Sequence, residues 1–230
     1  MTILAARNLS FQYQSGEPIF SGLNFEALPG RILALGGANG SGKSTLISLL
    51  AGLMSPSGGQ LRLGELEGKQ AEKALRRQAA LLPQNIDHWL LGETGREDLE
   101  LGLDPAEEAT AGRLAGLIGR WRLEDLLEMP VEAMSLGQKK RLALASALAR
   151  DPVLLLLDEP MSGLDWPGVR TMLNDLAGLK AAGVITVLVT HEPALTRALV
   201  DDWLLLKKGG PALFGPDLRE YFVEYGLRPF

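Results

Sequence analysis

Apolar positions along the chain follow two rhythms. Runs that are apolar, at 32–35, 153–157 and, but for Thr186, 184–189, read as strands buried on both faces. Elsewhere apolar residues recur every three or four positions, as at Leu114, Leu117, Ile118 and Trp121, which is the spacing of one helix face. The first 35 residues behave differently. Leu9, Phe11 and Tyr13 alternate with polar residues, the pattern of a half-buried strand, and 14–18 reads as a turn.

These rhythms predict an order of elements. A helix is expected over 43–53, closed by Ser55-Pro56-Ser57-Gly58-Gly59. Leu61 and Leu63 mark a strand, and 79–83 another that ends at Gln84. Asp104-Pro105, followed by Glu107 and Glu108, carries the marks of a helix start: an N-cap, proline at the first position and acids in the first turn. A second helix is expected from Ser135 to Arg150, stopped by Asp151-Pro152. Strands at 153–157, 184–190 and 203–206 then alternate with helices at 167–181 and 193–199. The expectation is an α/β fold, a parallel sheet with helices on both faces. It forms a single domain over 1–230, in which 1–84 and 151–230 make the core and 85–150 a mostly helical insertion.

Composition narrows the chemistry. A hydrophobic share of 46% and a charged share of 22% are ordinary globular values. The net charge of −5 speaks against a nucleic-acid carrier. With no cysteine and two histidines, Asp and Glu are the plentiful metal ligands, which suits Mg²⁺. The N-terminus has neither the basic start nor the apolar run of a secretory leader, and no apolar run approaches the length of a membrane span. Any membrane role is expected to come through a partner, with the chain itself cytoplasmic.

One stretch organises the rest. Residues 36–45 read Gly-Gly-Ala-Asn-Gly-Ser-Gly-Lys-Ser-Thr, which is G-x-x-x-x-G-K-[ST] between a buried strand and a helix. Its glycines let backbone N–H groups turn inward, and the helix N-terminus adds positive potential, so the loop suits phosphates. Lys43 would place a charge on the β- and γ-phosphates, and the Ser44 hydroxyl would ligate Mg²⁺. The apolar strand at 153–157 leads into Asp158 and Glu159. In parallel α/β sheets ligands sit at carboxyl ends of strands. Asp158 is therefore expected to hold Mg²⁺ and Glu159 to orient or deprotonate the attacking water. His191 follows another apolar strand at the same edge. There it either reports the γ-phosphate or is an ordinary residue after a strand. Gln84 ends a further strand within reach of Mg²⁺ or water. Ser135-Leu136-Gly137-Gln138 opens a helix. Ser and Gln at that spacing make a capping box, and the same helix N-terminus with the Gly137 N–H is a second anion site; both readings can hold together.

Together these residues resemble the ATP-binding-cassette (ABC) ATPases over essentially the whole chain. Residues 37–45 look like Walker A, Gln84 falls at the Q-loop, and Met134-Ser135-Leu136-Gly137-Gln138 is similar to the signature usually written LSGGQ. Residues 154–159 resemble Walker B with its glutamate, 162–165 the D-loop, and His191 the switch histidine. The resemblance implies a P-loop NTPase with a RecA-like parallel core, an N-terminal antiparallel β subdomain and an inserted helical subdomain. It implies nucleotide contacts from Tyr13, Asn39, Gly40, Ser41, Gly42, Lys43, Ser44 and Thr45, with Tyr13 stacking on adenine. Ser135, Gly137, Gln138 and Asp165 would act across a head-to-tail dimer. Glu159, His191 and Gln84 would be catalytic, and Ser44, Gln84 and Asp158 would hold Mg²⁺.

Residues 84–102 resemble the stretch after the Q-loop in energy-coupling-factor and cobalt or nickel uptake ATPases, although Ile86, His88 and Trp89 depart from that group's usual residues. That likeness implies a motor driving metal-ion or vitamin uptake through a membrane permease docked near 84–99. Trp89-Leu90-Leu91 is an apolar cluster suited to receive the permease, unless it packs onto the helical insertion. Trp121, Trp166 and Trp203 are expected to be packing residues. Two other functions are weaker: a nucleic-acid or ribosome-linked ABC ATPase, which usually carries two cassettes or basic arms, and a small-molecule kinase, which leaves the signature unexplained.

Overall fold

The structure is a computed structural model that describes residues 2–14, 16–86 and 89–228; His88, read above as a departure, lies outside them. The chain opens with β1 (Leu4–Gln12), β2 (Pro18–Ala27) and β3 (Ile32–Gly37), then α1 (Lys43–Leu50). After β4 (Gly58–Leu63), β5 (Leu66–Glu67) and α2 (Lys69–Gln78) comes β6 (Ala79–Leu82). Helices α3 (Gly95–Glu100), α4 (Glu108–Trp121) and α5 (Leu136–Ala149) follow. The remainder alternates: β7 (Leu154–Asp158), α6 (Trp166–Ala181), β8 (Ile185–Val189), α7 (Pro193–Thr196), β9 (Asp202–Leu206) and β10 (Leu213–Gly215).

Two sheets result. An antiparallel sheet has the order β2-β1-β4-β5, and a six-stranded sheet the order β10-β9-β3-β8-β7-β6. In the larger sheet the pairs β3/β8, β3/β9, β7/β8 and β6/β7 are parallel, while β10 runs antiparallel to β9. The sheet is therefore mixed but largely parallel, a departure from the wholly parallel expectation confined to one three-residue edge strand.

The period-2 alternation of the strands divides the core between the two faces. Leu33, Leu35, Leu154, Leu156, Val187 and Val189 face a cluster with α1, α2 and the antiparallel sheet. Ile32, Leu155, Leu157 and Leu188 face the other way, onto α4, α5 and α6. Strands buried on both faces favour apolar residues at nearly every position, which explains their near-continuous runs, with Thr186 of β8 the buried polar exception. Among the described residues no helix is long and apolar enough to cross a membrane.

Several expected boundaries move for local reasons. The helix expected over 43–53 stops at Leu50, because Gly52 turns left-handed (φ 66°) and the Leu53 N–H bonds back to the Ser48 carbonyl. The helix expected from Asp104 starts at Glu108. There the Asp104 carboxylate accepts the Ala106 N–H and its carbonyl accepts the Glu107 N–H, so a local turn outcompetes the first helical turn. The helix expected at 193–199 is the four-residue α7. Asp201, two residues past 199, is held by the Ile32 N–H and by Lys180 at the entry to β9. Trp121 and Trp203 are buried as expected, but Trp166 is 61% exposed on the first turn of α6.

Candidate functional site

The sheet order explains why distant residues meet. Strands β3, β8, β7 and β6 are parallel neighbours, so their carboxyl ends share one edge. The P-loop leaves β3, Asp158 ends β7, His191 follows β8 and Gln84 follows β6. Asn39, Gly40, Gly42, Lys43, Ser44, Thr45, Gln84, Asp158, Glu159 and His191 line one cleft of about 320 Å³.

The loop itself demands its glycines. Gly37 sits at φ 149° and Gly42 at φ 101°, and a Cβ on Gly42 would lie 2.6 Å from Ile19. Gly42 is also the N-cap of α1 and offers no side-chain acceptor, so a ligand meets the helix's first N–H groups directly. Lys43 Nζ donates to the carbonyls of Gly37 (2.8 Å) and Ala38 (3.0 Å) across the loop. Burial pushes its pKa down, while Glu159 and Asp158 pull it up.

Ser41 differs from its neighbours. It is buried, its N–H bonds the Ala38 carbonyl, and its hydroxyl has no partner, so its side chain shapes the loop from within. Tyr13 lies just past β1, half exposed. It meets Phe11 edge-on with centroids 5.0 Å apart, and its hydroxyl is 3.1 Å from Thr45 Oγ1.

Glu159 is the hub of the acidic end. Gln84 Nε2 donates to its Oε2 (3.0 Å), and His191 Nε2 lies 3.1 Å from its Oε1. Its backbone is left-handed at φ 48°, an uncommon conformation for a non-glycine residue that marks a constrained turn. The neighbouring Asp158 has its pKa raised by burial and by the Glu159 charge, with Lys43 and His191 opposing. Two carboxylates, a histidine and a lysine thus converge beside the phosphate-shaped loop, an arrangement able to accept a proton from water next to a bound polyphosphate.

The remaining expected contacts lie elsewhere. Ser135, Gly137, Gln138 and Asp165 line a separate cleft of about 230 Å³ with Arg141 and Asp175. The capping box is formed in full: Gln138 N–H donates to Ser135 Oγ (3.3 Å) and Ser135 N–H to Gln138 Oε1 (2.7 Å). Asp165 caps α6, accepting the Gly168 N–H at 2.9 Å. The chain therefore brings the P-loop, Gln84, Asp158, Glu159 and His191 together and holds the signature residues apart from them.

Sequence reasoning missed Lys140, which is 1% exposed behind Glu159, and Asp98, a buried carboxylate that accepts the Leu91 and Gly92 N–H groups and the Ser146 hydroxyl. Lys140 carried a signal: with Ala143, Leu144 and Ala147 it completes a three-and-four stripe whose other members are all buried. Leu90, grouped above with Trp89 and Leu91 as an exposed patch, is 9% exposed and packs into the core, whereas Trp89 is 39% and Leu91 72% exposed.

A glycine-rich loop at a helix N-terminus, with Asp158 and Glu159 at the end of another parallel strand of the same sheet, defines a P-loop NTPase. Comparison with known proteins carries this further. Residues 20–162 match the ABC transporter family, and the chain belongs to it. It is 37% identical over 99% of its length to the cobalt import ATP-binding protein CbiO of Rhodobacter capsulatus, covering 85% of that protein. It is 33% identical over 97% of its length to the energy-coupling factor transporter ATP-binding protein EcfA of Methanococcus maripaludis, covering 82% of it. The structure of cbiO1 from Clostridium perfringens, described as part of the ABC transporter complex cbiONQ, superposes with a TM-score of 0.84 at 28% identity. That match covers 97% of this chain and 91% of the other. The chain is thus an ATP-binding, ATP-hydrolysing subunit of an ABC transporter.

Proposed function

We propose that the P-loop cleft and the signature cleft are two halves of one reaction centre, joined when two cassettes meet head to tail around ATP. Within the P-loop cleft, the α1 N-terminus and Lys43 take the phosphates; Tyr13, outside the cleft lining but hydrogen-bonded to Thr45, offers its ring to the base. Glu159 accepts the proton of the attacking water; Gln84 and His191, each on one of its carboxylate oxygens, fix its orientation. Ser135 and the Gly137 N–H of the second cassette reach the terminal phosphate from the far side. The observation that carries this reading is the Gln84–Glu159–His191 chain of contacts at the mouth of the P-loop.

The same cleft suits Mg²⁺. Among its oxygen donors Ser44, Gln84 and Asp158 are those proposed to face the ion, and no cluster of three or more His, Cys, Asp or Glu able to hold a metal occurs among the described residues. That poor protein donor set fits an ion held largely by phosphates and water. Burial and the Glu159 charge raise the pKa of Asp158 against the pull of Lys43 and His191, so a cation beside it would favour its carboxylate form. Bound there, Mg²⁺ would neutralise phosphate charge.

The cargo we propose is a metal ion or a vitamin taken up through a membrane subunit, a reading supported by the likeness to the cobalt and energy-coupling-factor proteins. The subunit would dock beside Trp89. Trp89, Leu91, Leu53 and Leu101 are exposed around a groove of about 540 Å³ that also holds Arg76, Arg77 and Arg150. An apolar groove with a basic rim suits a short amphipathic helix carrying acidic residues. The chain would then sit on the cytoplasmic face of the membrane through this contact.

Glu159→Gln tests the reading. The expected variant binds ATP with unchanged affinity, loses turnover by about 10³-fold or more, and accumulates as an ATP-bound dimer in size-exclusion chromatography. Cells that depend on the chain and its co-purifying membrane subunits should lose uptake of labelled cobalt, nickel or vitamin with the same substitution. Normal turnover by Glu159→Gln would remove Glu159 from the reaction.

A further inference from the structure

We infer that Lys140 is a positioning residue for ATP hydrolysis: from the signature helix it grips the backbone of the strained turn that presents Glu159. The inference rests on the assignment of Glu159 proposed above.

Lys140 lies on the second turn of α5 and is 1% exposed. Fully buried lysines are rare and need compensation. Here the ammonium has it from backbone oxygens alone. Nζ donates to the carbonyls of Ser162 (2.6 Å), Pro160 (3.0 Å) and, at the long limit, Glu159 (3.5 Å). An ammonium has three protons, and three acceptors surround it. All three belong to the four-residue turn that leaves β7, within which the Ser162 N–H also closes onto the Glu159 carbonyl (3.0 Å).

That turn carries the strain. Glu159 is one of four described non-glycine residues with positive φ, and it bears the carboxylate that Gln84 and His191 engage. A left-handed glutamate stays in place only where its surroundings over-determine it. The Lys140 ammonium gathers three carbonyls onto one point, and a gathered turn holds the residue that begins it. Burial lowers the Lys140 pKa, with the Glu159 charge opposing. The cation is therefore kept against a desolvation penalty, and a solvent-facing lysine at this position would carry none.

The contact also has a direction. Lys140 is two residues past Gln138 on the helix whose first turn lines the signature cleft. One side chain thus ties the turn bearing the chain's own acid to the helix that the chain would offer a partner cassette. A shift of α5 on ATP-driven closure would reach Glu159 through it.

Lys140→Met keeps the length and apolar stem and removes every donor. The expected variant keeps its KM for ATP and loses kcat by about 10²-fold, the cost of roughly an ångström of misplacement at a reacting group. Lys140→Gln, with two N–H donors on a shorter stem, is expected to fall between it and the parent chain, and it carries the test if Lys140→Met does not fold. The decisive measurement is single-turnover hydrolysis by the Glu159→Gln chain with and without Lys140→Met. If Lys140 acts through Glu159, the second substitution leaves the residual rate unchanged. A folded Lys140→Met or Lys140→Gln chain with the parent kcat overturns the inference. So does a double variant whose rate falls by the full factor again, which would show a general structural role. Glu159→Gln alone separates the two claims: if it is dead while Lys140→Met is fully active, only the inference fails, and if it turns over normally, the Glu159 assignment fails first.

Discussion

The P-loop cleft and the signature cleft both sit at helix N-termini, and they are built in opposite ways. At α1 the N-cap is Gly42, which offers no side-chain acceptor, and the surroundings are dense with charge: Lys43, Asp158, Glu159 and His191. At α5 the N-cap is Ser135 in a complete capping box, which takes up the N–H groups of Ser135 and Gln138 from within. The first is an open, charged seat for a whole polyphosphate. The second is half closed on itself, with only the Leu136 and Gly137 N–H groups outside the capping box, so it suits a terminal phosphate delivered already bound. This asymmetry is what the proposed half-sites, completed in trans, would require.

Mixing chains with complementary defects breaks or sharpens that comparison most severely. Lys43→Ala disables the charged seat. Gly137→Asp places a carboxylate where the terminal phosphate would arrive, and the fold tolerates it, because a Cβ on Gly137 meets only Leu164 at 3.8 Å. Each variant alone should lose ATPase activity by about 10³-fold or more, the scale of a trans-supplied group in phosphoryl transfer. An equal mixture should recover a sizeable part of the rate, since mixed dimers hold one intact composite site. A mixture as inactive as its components would mean that both clefts serve the same chain.

A smaller effect is expected at the groove beside the docking segment. Trp89→Ser with Leu91→Ser should leave basal ATP hydrolysis essentially unchanged and lower the melting temperature only slightly, because Leu91 is 72% exposed and Trp89, 39% exposed, lines the surface groove. Co-purification with the membrane subunits should weaken by roughly 30-fold or more, the worth of an interface hot spot. Leu90 must be left alone. It packs into the core beside Ile86 and Leu99, and changing it would confuse docking with stability.

What was legible in the sequence follows the same division. The strands buried on both faces and the loop between β3 and α1 could be placed to within a residue or two, because burial on two faces and φ values near 100° each admit few residue types. Helix α2 passed unnoticed: only Ala71 and Leu75 of its ten residues are buried, too thin a stripe for a periodicity argument. Edge strand β10 has three residues and pairs only with β9, a tertiary contact with no local signature. At the site, Gln84, Asp158, Glu159 and His191 were found because strand ends are readable. The order β3-β8-β7-β6 that makes those ends neighbours was not. Leu90 took the packing alternative of its cluster and Trp166 was misplaced, because hydrophobicity alone does not say which apolar residue faces the core.

The mildest test falls in the signature cleft and reads its electrostatics. Asp175, on α6 in the wall of that cleft, has its pKa raised to about 7 by burial, against the pull of Arg141, Arg120 and Arg122, and its Oδ2 is buried without a partner. A carboxyl group that is held protonated in the fold but titrates near 4 when unfolded binds its proton more tightly in the native state. Its contribution to stability is therefore fully present below about pH 4 and is lost as pH rises through about 7. The side chain is partly solvated, so the loss should be about 1–2 kcal/mol rather than the full linkage value. Asp175→Asn keeps the shape without the titration. Urea unfolding should show the variant gaining on the parent chain between pH 5 and pH 8 by about that amount. A constant difference across that range would mean that the three arginines already hold Asp175 ionised, and the signature cleft would then be as charged as the P-loop cleft from which it has been distinguished.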